Sequence, residues 1–200
     1  MSVPSTIVRA AAVGLTLLAA GCAGTSRTRV PLTAVDEGRE LLLAVDVRAL
    51  VLSGAARRTD DEVVVPLAVA VTNKGLSRTI ALATESFTLE LPDGTRAPVV
   101  DAATLARTYH RQRVDLEATR PFEEFLLGRF GVPPFRYVGF DFFPLAQEGA
   151  VPRRSIDLPL GTVGWGLLYF RVPHGVVRGG KLLVHPTGSR ETYVVAFAVP

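Results

Sequence analysis

A period of two residues in the side-chain pattern of several short segments is the feature that most constrains the fold of this chain. In the clearest case, valine or leucine occupies every second position from Val63 to Val71. A period of two residues places alternate side chains on opposite faces of a strand. The same pattern recurs in residues 41–51, 87–91, 138–142, 165–172 and 192–199. The sequence therefore predicts strands rather than helices over most of its length.

Turn residues separate these segments. Pro92-Asp93-Gly94-Thr95 predicts a tight turn that joins residues 87–91 and 96–100 into a hairpin. Pro66 cannot donate a backbone hydrogen bond, so its strand is expected to lie at a sheet edge or to carry a bulge there. The segments predict about seven to nine strands, and no βα unit repeats. We therefore expect an all-β sandwich.

Residues 101–135 break the alternation and predict a partly helical insertion. Asp101 is a candidate N-cap for a helix that extends through Arg111, with Leu105 and Tyr109 on one face. A second helical segment is expected over residues 121–127.

Three segments carry a family resemblance. They are Val-Ala-Val-Thr-Asn-Lys-Gly at 69–75, Phe-Thr-Leu-Glu-Leu-Pro-Asp-Gly at 87–94 and Gly-Leu-Leu-Tyr-Phe-Arg-Val-Pro at 166–173. In this order they resemble the immunoglobulin-like β-sandwich domain of unknown function found in many bacterial lipoproteins, which is related in fold to a secreted mycobacterial immunoprotective antigen. The resemblance extends over residues 40–199, and the insertion departs from it. It implies an immunoglobulin-like sandwich and no known activity.

The N-terminal segment has the organisation of an export signal. Arg9 precedes an apolar run over residues 10–20, and small residues follow. A positive start, an apolar stretch of roughly 7–15 residues and a small-residue cleavage site define a secretory signal. The run is too short to cross about 30 Å of hydrocarbon, which takes roughly 20 residues.

Leu18-Ala19-Ala20-Gly21-Cys22 resembles the lipobox of bacterial lipoproteins, in which the cysteine is acylated and the signal is cut just before it. Ala19 stands where leucine would fit best. The alternatives are an ordinary signal with an incidental cysteine, or a buried thiol. The expected organisation is a signal peptide over 1–21, a lipidated cysteine and flexible tether over 22–39, and a β-sandwich domain over 40–200.

Cysteine and histidine usage argues against a metal site. Cys22 is the only cysteine, which excludes an intramolecular disulfide and leaves no free thiolate once it is acylated. His110, His174 and His185 lie far apart in the sequence. Asp60-Asp61-Glu62 is more typical of a solvated charge run than of a calcium loop. We expect neither a metal nor a cofactor.

The sequence contains no serine-nucleophile elbow and no phosphate-binding loop. Its formal net charge of +3 comes from mixed charges without a basic stripe, which argues against nucleic-acid binding. The sequence therefore predicts a protein that is not an enzyme.

Aromatic residues are concentrated in one region: eight of the fifteen fall between Phe122 and Phe143. If exposed, those of the insertion would form an apolar patch of the kind that marks an interaction site. Packing in the core is the alternative. The candidate interaction surface consists of Phe122, Phe125, Phe130 and Phe135.

These features predict a lipid-anchored protein of the bacterial cell envelope, whose non-catalytic domain binds another envelope protein or aids assembly. Ala23 follows the anchor in place of an aspartate, which favours the outer membrane where the organism has one. A carbohydrate- or small-ligand-binding module is an alternative, with Trp165 and Tyr169 on one strand face. A hydrolase whose site is assembled in space is another.

Overall fold

The computed structural model describes residues 31–53, 58–59, 62–76, 78–130, 135–144, 151–173 and 177–200. The expected signal peptide, the lipobox with Cys22, and the first part of the tether lie outside the described residues. So do His174, Asp60 and Asp61.

Strands dominate the described residues, which also contain four helices and a 3-10 turn at Thr84–Ser86. The elements in chain order are β1 (Thr33–Glu37), β2 (Leu41–Asp46), α1 (Arg48–Ser53), β3 (Arg58–Thr59), β4 (Glu62–Asn73), β5 (Ile80–Ala83), β6 (Phe87–Glu90), β7 (Arg96–Pro98), α2 (Ala102–Thr108), α3 (Gln112–Ala118), α4 (Arg120–Phe130), β8 (Arg136–Gly139), β9 (Ser155–Leu158), β10 (Thr162–Pro173), β11 (Gly179–Val184) and β12 (Tyr193–Ala198). The prediction of a mostly β protein is confirmed. The expected number of strands was too low, because strands such as β3, β5 and β9 are too short to show a period.

The strands form three sheets. The largest has the order β1-β2-β4-β10-β8 with β3 added to β4, the second has the order β12-β11-β6-β7, and β5 pairs with β9. All pairs are antiparallel except β8 with β10. The period-two face of β4, from Val63 to Val71, packs in one core with Phe87 and Leu182 of the second sheet. The alternation read from the sequence therefore marks the inner face between the two larger sheets.

The predicted hairpin is confirmed. β6 and β7 pair antiparallel from Thr88↔Pro98 to Glu90↔Arg96. Gly94 supplies the positive φ of 85° that the turn requires. The Asp93 carboxylate accepts a hydrogen bond from the Thr95 N–H at 2.9 Å, which fixes the turn.

The strand that contains Pro66 lies inside the largest sheet, yet Pro66 itself lies at a local edge. β2 pairs with β4 only as far as Asp46↔Ala68, and β3 pairs with residues 62–63. Within the described part of the chain, residues 64–67 of β4 therefore have β10 as their one strand partner, with Pro66 opposite Tyr169. A proline is tolerated here because no strand on the other side needs its N–H.

The insertion forms a third layer on the outer face of the largest sheet. Phe122, Leu126 and Phe130 of α4 pack against Ala68 and Ala70 of β4. The small alanine side chains let the helix approach the sheet closely. β4 is thus buried on both faces, which explains its nearly continuous apolar sequence.

Two expectations about the first part of the domain were wrong. Residues 33–37, which were assigned to the flexible tether, form β1 and pair with β2 from Thr33↔Asp46 to Glu37↔Leu42. Residues 48–53, which were expected to extend a strand to Val51, form α1. The Asp46 carboxylate accepts a hydrogen bond from the Arg48 N–H at 3.0 Å, which favours a helix start at this point.

Candidate functional site

A gap in the largest sheet creates the candidate site. β8 pairs with β10 only from Thr162↔Arg136 to Trp165↔Gly139. Pairing on that side of β10 resumes where Phe170 bridges Val99. Among the described residues, 166–168 of β10 therefore have no strand partner on this side, and the sheet is open there.

A pocket of about 200 Å³ occupies this gap. Trp165, Gly166, Leu167 and Tyr169 of β10 form one wall, and Gln112 and Leu116 of α3 form another; the remaining lining residues are Gly139, Phe140, Asp141, Phe142, Phe143 and Pro144. Gln112 and Leu116 are four residues apart, so they lie on the same face of the helix. The insertion thus supplies part of the pocket as well as the outer layer.

Two close approaches shape the pocket floor. After β8 ends, the chain turns inward, and the Phe140 N–H donates a hydrogen bond to the Trp165 carbonyl at 2.8 Å. The Phe140 side chain then crosses Gly164 and Gly166, where an added Cβ would lie 2.9 Å from it in each case. Glycine at these two positions is therefore required for Phe140 to reach the core.

An ion pair holds the rim of the pocket. Asp141 adopts a positive φ of 49°, a conformation that aspartate tolerates better than most residues. Arg153 fixes it twice: the Arg153 N–H donates to the Asp141 carbonyl at 3.0 Å, and Nε lies 3.3 Å from Oδ2 of the carboxylate. Both side chains are about half exposed. The rim therefore presents a carboxylate whose charge is balanced by a guanidinium.

A buried carboxylate lies behind the pocket wall. The Tyr109 hydroxyl donates to Asp115 Oδ2 at 2.6 Å, and Tyr169 also forms a hydrogen bond with this carboxylate. Burial raises the pKa of Asp115, although both hydrogen bonds and the nearby Arg111 charge favour the ionised form. Burial and the Asp115 contact raise the pKa values of both tyrosines. Since Tyr169 also lines the pocket, this network fixes the position of one pocket residue.

The helix that precedes Tyr109 begins as the sequence predicts. Asp101 caps α2, and its carboxylate accepts a hydrogen bond from the Thr104 N–H at 2.8 Å. Hydrogen bonds from the side chain and the backbone N–H of Thr104 lower the pKa of Asp101. Leu105 and Tyr109 share the buried face, as expected, and pack with Tyr169. The helix ends at Thr108 rather than Arg111, and α3 follows separately.

The four phenylalanines of the predicted interaction surface do not form an exposed aromatic patch. Phe122 and Phe130 are buried, while Phe125 and Phe135 are partly buried against the same cluster. Phe122 stacks on Phe125 with ring centroids 6.2 Å apart, and Phe130 meets Phe135 edge-on at 5.1 Å. The aromatic concentration is thus explained by packing of the insertion on the sheet, which was the alternative.

Trp165 and Tyr169 were the residues expected for a ligand-binding face. The structure places both on the pocket wall. Trp165 is partly exposed, whereas Tyr169 is buried between Tyr109 and Phe143, each at a ring-centroid distance of 5.3 Å. The Trp165 side chain is therefore accessible to a ligand, whereas the Tyr169 side chain is packed behind the pocket surface.

A hydrolase needs carboxylates that share a cleft, or a serine–histidine pair. The two buried aspartates have separate partners: Asp115 the two tyrosines, and Asp46 the Thr33 hydroxyl at 2.6 Å and the Arg48 guanidinium. His185 is exposed and contacts the Thr192 hydroxyl. Within the described ranges, no group of three or more metal-binding side chains is found.

Sequence reasoning missed Gln112, Asp115 and Asp141. None belongs to a motif, because the site is brought together by α3, the β8 end and β10. Asp115 lies in the short helix α3, and the sequence around it gives no signal that its side chain is buried.

None of the helices in the described ranges is long and apolar enough to cross a membrane. No model of a protein family matches the chain, and no curated protein matches it. Among solved structures, it is similar to the crystal structure of "a putative lipoprotein (ycdA)" from Bacillus subtilis strain 168, with 13% identity and a TM-score of 0.44. The match covers 82% of this chain and 38% of that chain, so this chain spans well under half of its length.

Proposed function

We propose that this protein is a lipid-anchored lipoprotein of the bacterial cell envelope, and that its domain binds a neutral sugar ring in the pocket beside β8 and β10 without converting it. The observation that carries the proposal is the position of Trp165. This partly exposed indole lines the same pocket as Gln112.

The pocket combines an aromatic wall with a few polar groups at its rim, which is the usual composition of a small-ligand site. The Gln112 amide can both donate and accept hydrogen bonds, as ligand hydroxyls require. The Asp141 carboxylate is balanced by Arg153, which favours a neutral ligand over a cation. A sugar ring presents an apolar face to the indole and hydroxyls to these polar groups.

The size of the pocket limits the ligand to one ring. Sites for drug-sized ligands have volumes of roughly 300–1,000 Å³. At about 200 Å³ this pocket is smaller. A single sugar residue at the end of a longer glycan would fit.

The lipid anchor and the immunoglobulin-like assignment rest on the sequence. The lipobox residues Leu18 to Gly21 and the acylation site Cys22 support the anchor. The resemblance segments 69–75, 87–94 and 166–173 fall on β4, on β6 with its turn, and on β10. We keep the domain among immunoglobulin-like sandwiches on that basis.

Trp165 is the only tryptophan in the chain, so its fluorescence reports on the pocket directly. Titration with N-acetylglucosamine should change the emission in a saturable way. Phenol, which has a ring but lacks the hydroxyl set, and tetramethylammonium, which is a cation, should have much weaker effects. Saturable binding of either of these with no response to the sugar would contradict the proposed ligand class.

A substitution at Gln112 tests the polar contact. Gln112→Ala should weaken binding by about 2- to 12-fold, which corresponds to a hydrogen bond worth roughly 0.5–1.5 kcal/mol. Glu117→Ala is the matched control, because Glu117 is exposed on the same helix and does not line the pocket. Equal affinities for the two variants would rule out a contact between Gln112 and the ligand.

The anchor is tested separately. Cys22→Ser should abolish incorporation of labelled palmitate and release the protein from the membrane fraction. Retention of the label in this variant would show that Cys22 is not the acylation site.

A further inference from the structure

Two adjacent short helices expose apolar side chains. On α1, Val51 is 40% exposed and Leu52 is 62% exposed, and on α3, Val114 is 46% exposed. α1 and α3 pack against each other, so the two helices lie in one region of the molecule. Arg113, also exposed, stands next to Val114 on α3.

The chain enters the domain at the start of this region. The Val47 N–H donates to the Leu32 carbonyl at 2.9 Å, and Thr33 pairs with Asp46 just before α1 begins. The Thr33 hydroxyl also donates to the Asp46 carboxylate at 2.6 Å. The first residues of the domain are therefore fixed beside the N-terminal end of α1.

The proposed anchor lies close to this region along the chain. Only residues 23–32 separate Cys22 from Thr33. Ten residues reach at most about 33–36 Å even when they are fully extended. Because β1 begins at Thr33, the tether is shorter than the sequence alone suggested.

We propose that the face formed by Val51, Leu52, Val114 and Arg113 rests on the surface of the bilayer that holds the lipid anchor. This inference depends on the proposed acylation of Cys22. The apolar side chains enter the interface between headgroups and acyl chains, and the guanidinium is attracted to anionic lipid. Contact with the bilayer gives the domain a fixed orientation that the acyl chains alone do not provide.

The orientation can be measured with single-cysteine probes. Because acylation consumes the only natural thiol, Leu52→Cys introduces one free thiol for an environment-sensitive dye. The full lipidated protein is reconstituted in vesicles of phosphatidylcholine and phosphatidylglycerol, some of which carry nitroxide-labelled lipid. Val114→Cys provides a second probe of the same face.

Leu160→Cys is the matched control. Leu160 is 57% exposed, and Gly161 next to it donates to the Asn73 carbonyl at 2.7 Å. Asn73 pairs with Leu41, at the opposite end of β2 from Asp46. The control is therefore an exposed leucine at the other end of the sheet.

We expect blue-shifted emission and nitroxide quenching at residues 52 and 114, and neither at residue 160. Water-like emission at all three positions in vesicle-bound protein would overturn the proposed face while leaving the anchor intact. Failure of the wild-type lipidated protein to associate with vesicles would overturn both. Circular dichroism of each labelled variant establishes that the fold is retained.

Discussion

Truncation of Phe122 tests whether the insertion is a structural layer of the domain. Phe122 is fully buried on the outer face of the largest sheet, in a cluster with Ala68, Ala70 and Leu126. Phe122→Ala removes the ring and leaves a cavity, because the sheet cannot collapse into the space. Phenylalanine-to-alanine changes at such sites cost about 3–5 kcal/mol. That is a large share of the roughly 5–15 kcal/mol that separates a folded domain from its unfolded chain.

The assay is urea unfolding followed by circular dichroism, with Leu127→Ala as the control. Leu127 lies on the same helix but is 48% exposed, so its truncation should change the free energy of unfolding by at most about 0.5 kcal/mol. The midpoint should fall strongly for Phe122→Ala with little change in the slope of the unfolding free energy against urea. A loss below about 1 kcal/mol, or one equal to that of the control, would refute the packing of α4 on the sheet.

Two further substitutions test the pocket floor and the buried carboxylate. Gly166→Ala should destabilise the protein by about 1–3 kcal/mol because its Cβ would lie 2.9 Å from the Phe140 Cβ, whereas Gly128→Ala, on α4 with nothing within 4 Å, should stabilise it by about 0.5–1 kcal/mol. Urea melts compare the two, and equal effects would contradict the close approach of Phe140. Asp115→Asn should flatten the dependence of stability on pH: burial raises the pKa of Asp115, so its contribution is greatest when pH is below the ordinary value of 3.8 and is lost as pH rises through the raised pKa. Urea melts from acidic to neutral pH measure this, and wild-type stability that rises relative to the variant over that window would contradict the assigned shift.

The sequence predicted those parts of the fold that are encoded locally. The alternation from Val63 to Val71, the turn at Pro92–Gly94 and the cap at Asp101 each act over a few residues, and each was recognised. β1 and α1 were not recognised. β1 has no period of two in its sequence, and it is positioned by pairing with β2. α1 follows β2 at a point where the period of two continues in the sequence, so the change from strand to helix gives no signal there.

The candidate site could be predicted only in part. Trp165 and Tyr169 were identified because residues four apart on a strand share a face, and both line the pocket. Gln112 and Asp141 could not be added, since their approach to β10 depends on where β8 ends and how the insertion folds back. The concentration of aromatic residues suggested an exposed interaction surface, but these side chains belong to a buried layer. Sequence composition does not distinguish a buried aromatic cluster from an exposed one.

The residues on the outer face of the largest sheet explain why the insertion contributes both to the outer apolar layer and to the pocket. Over Ala68 and Ala70, small side chains allow α4 to lie directly on the sheet and close it from water. At Gly166 the missing side chain leaves room for Phe140, and Gln112 and Leu116 of α3 line the pocket. Within the part of the chain that the structure describes, the pocket is therefore the place where the third layer is incomplete. A ligand that fills it extends that layer, and binding to the folded state alone must raise the free energy of unfolding by an amount set by its concentration relative to its Kd.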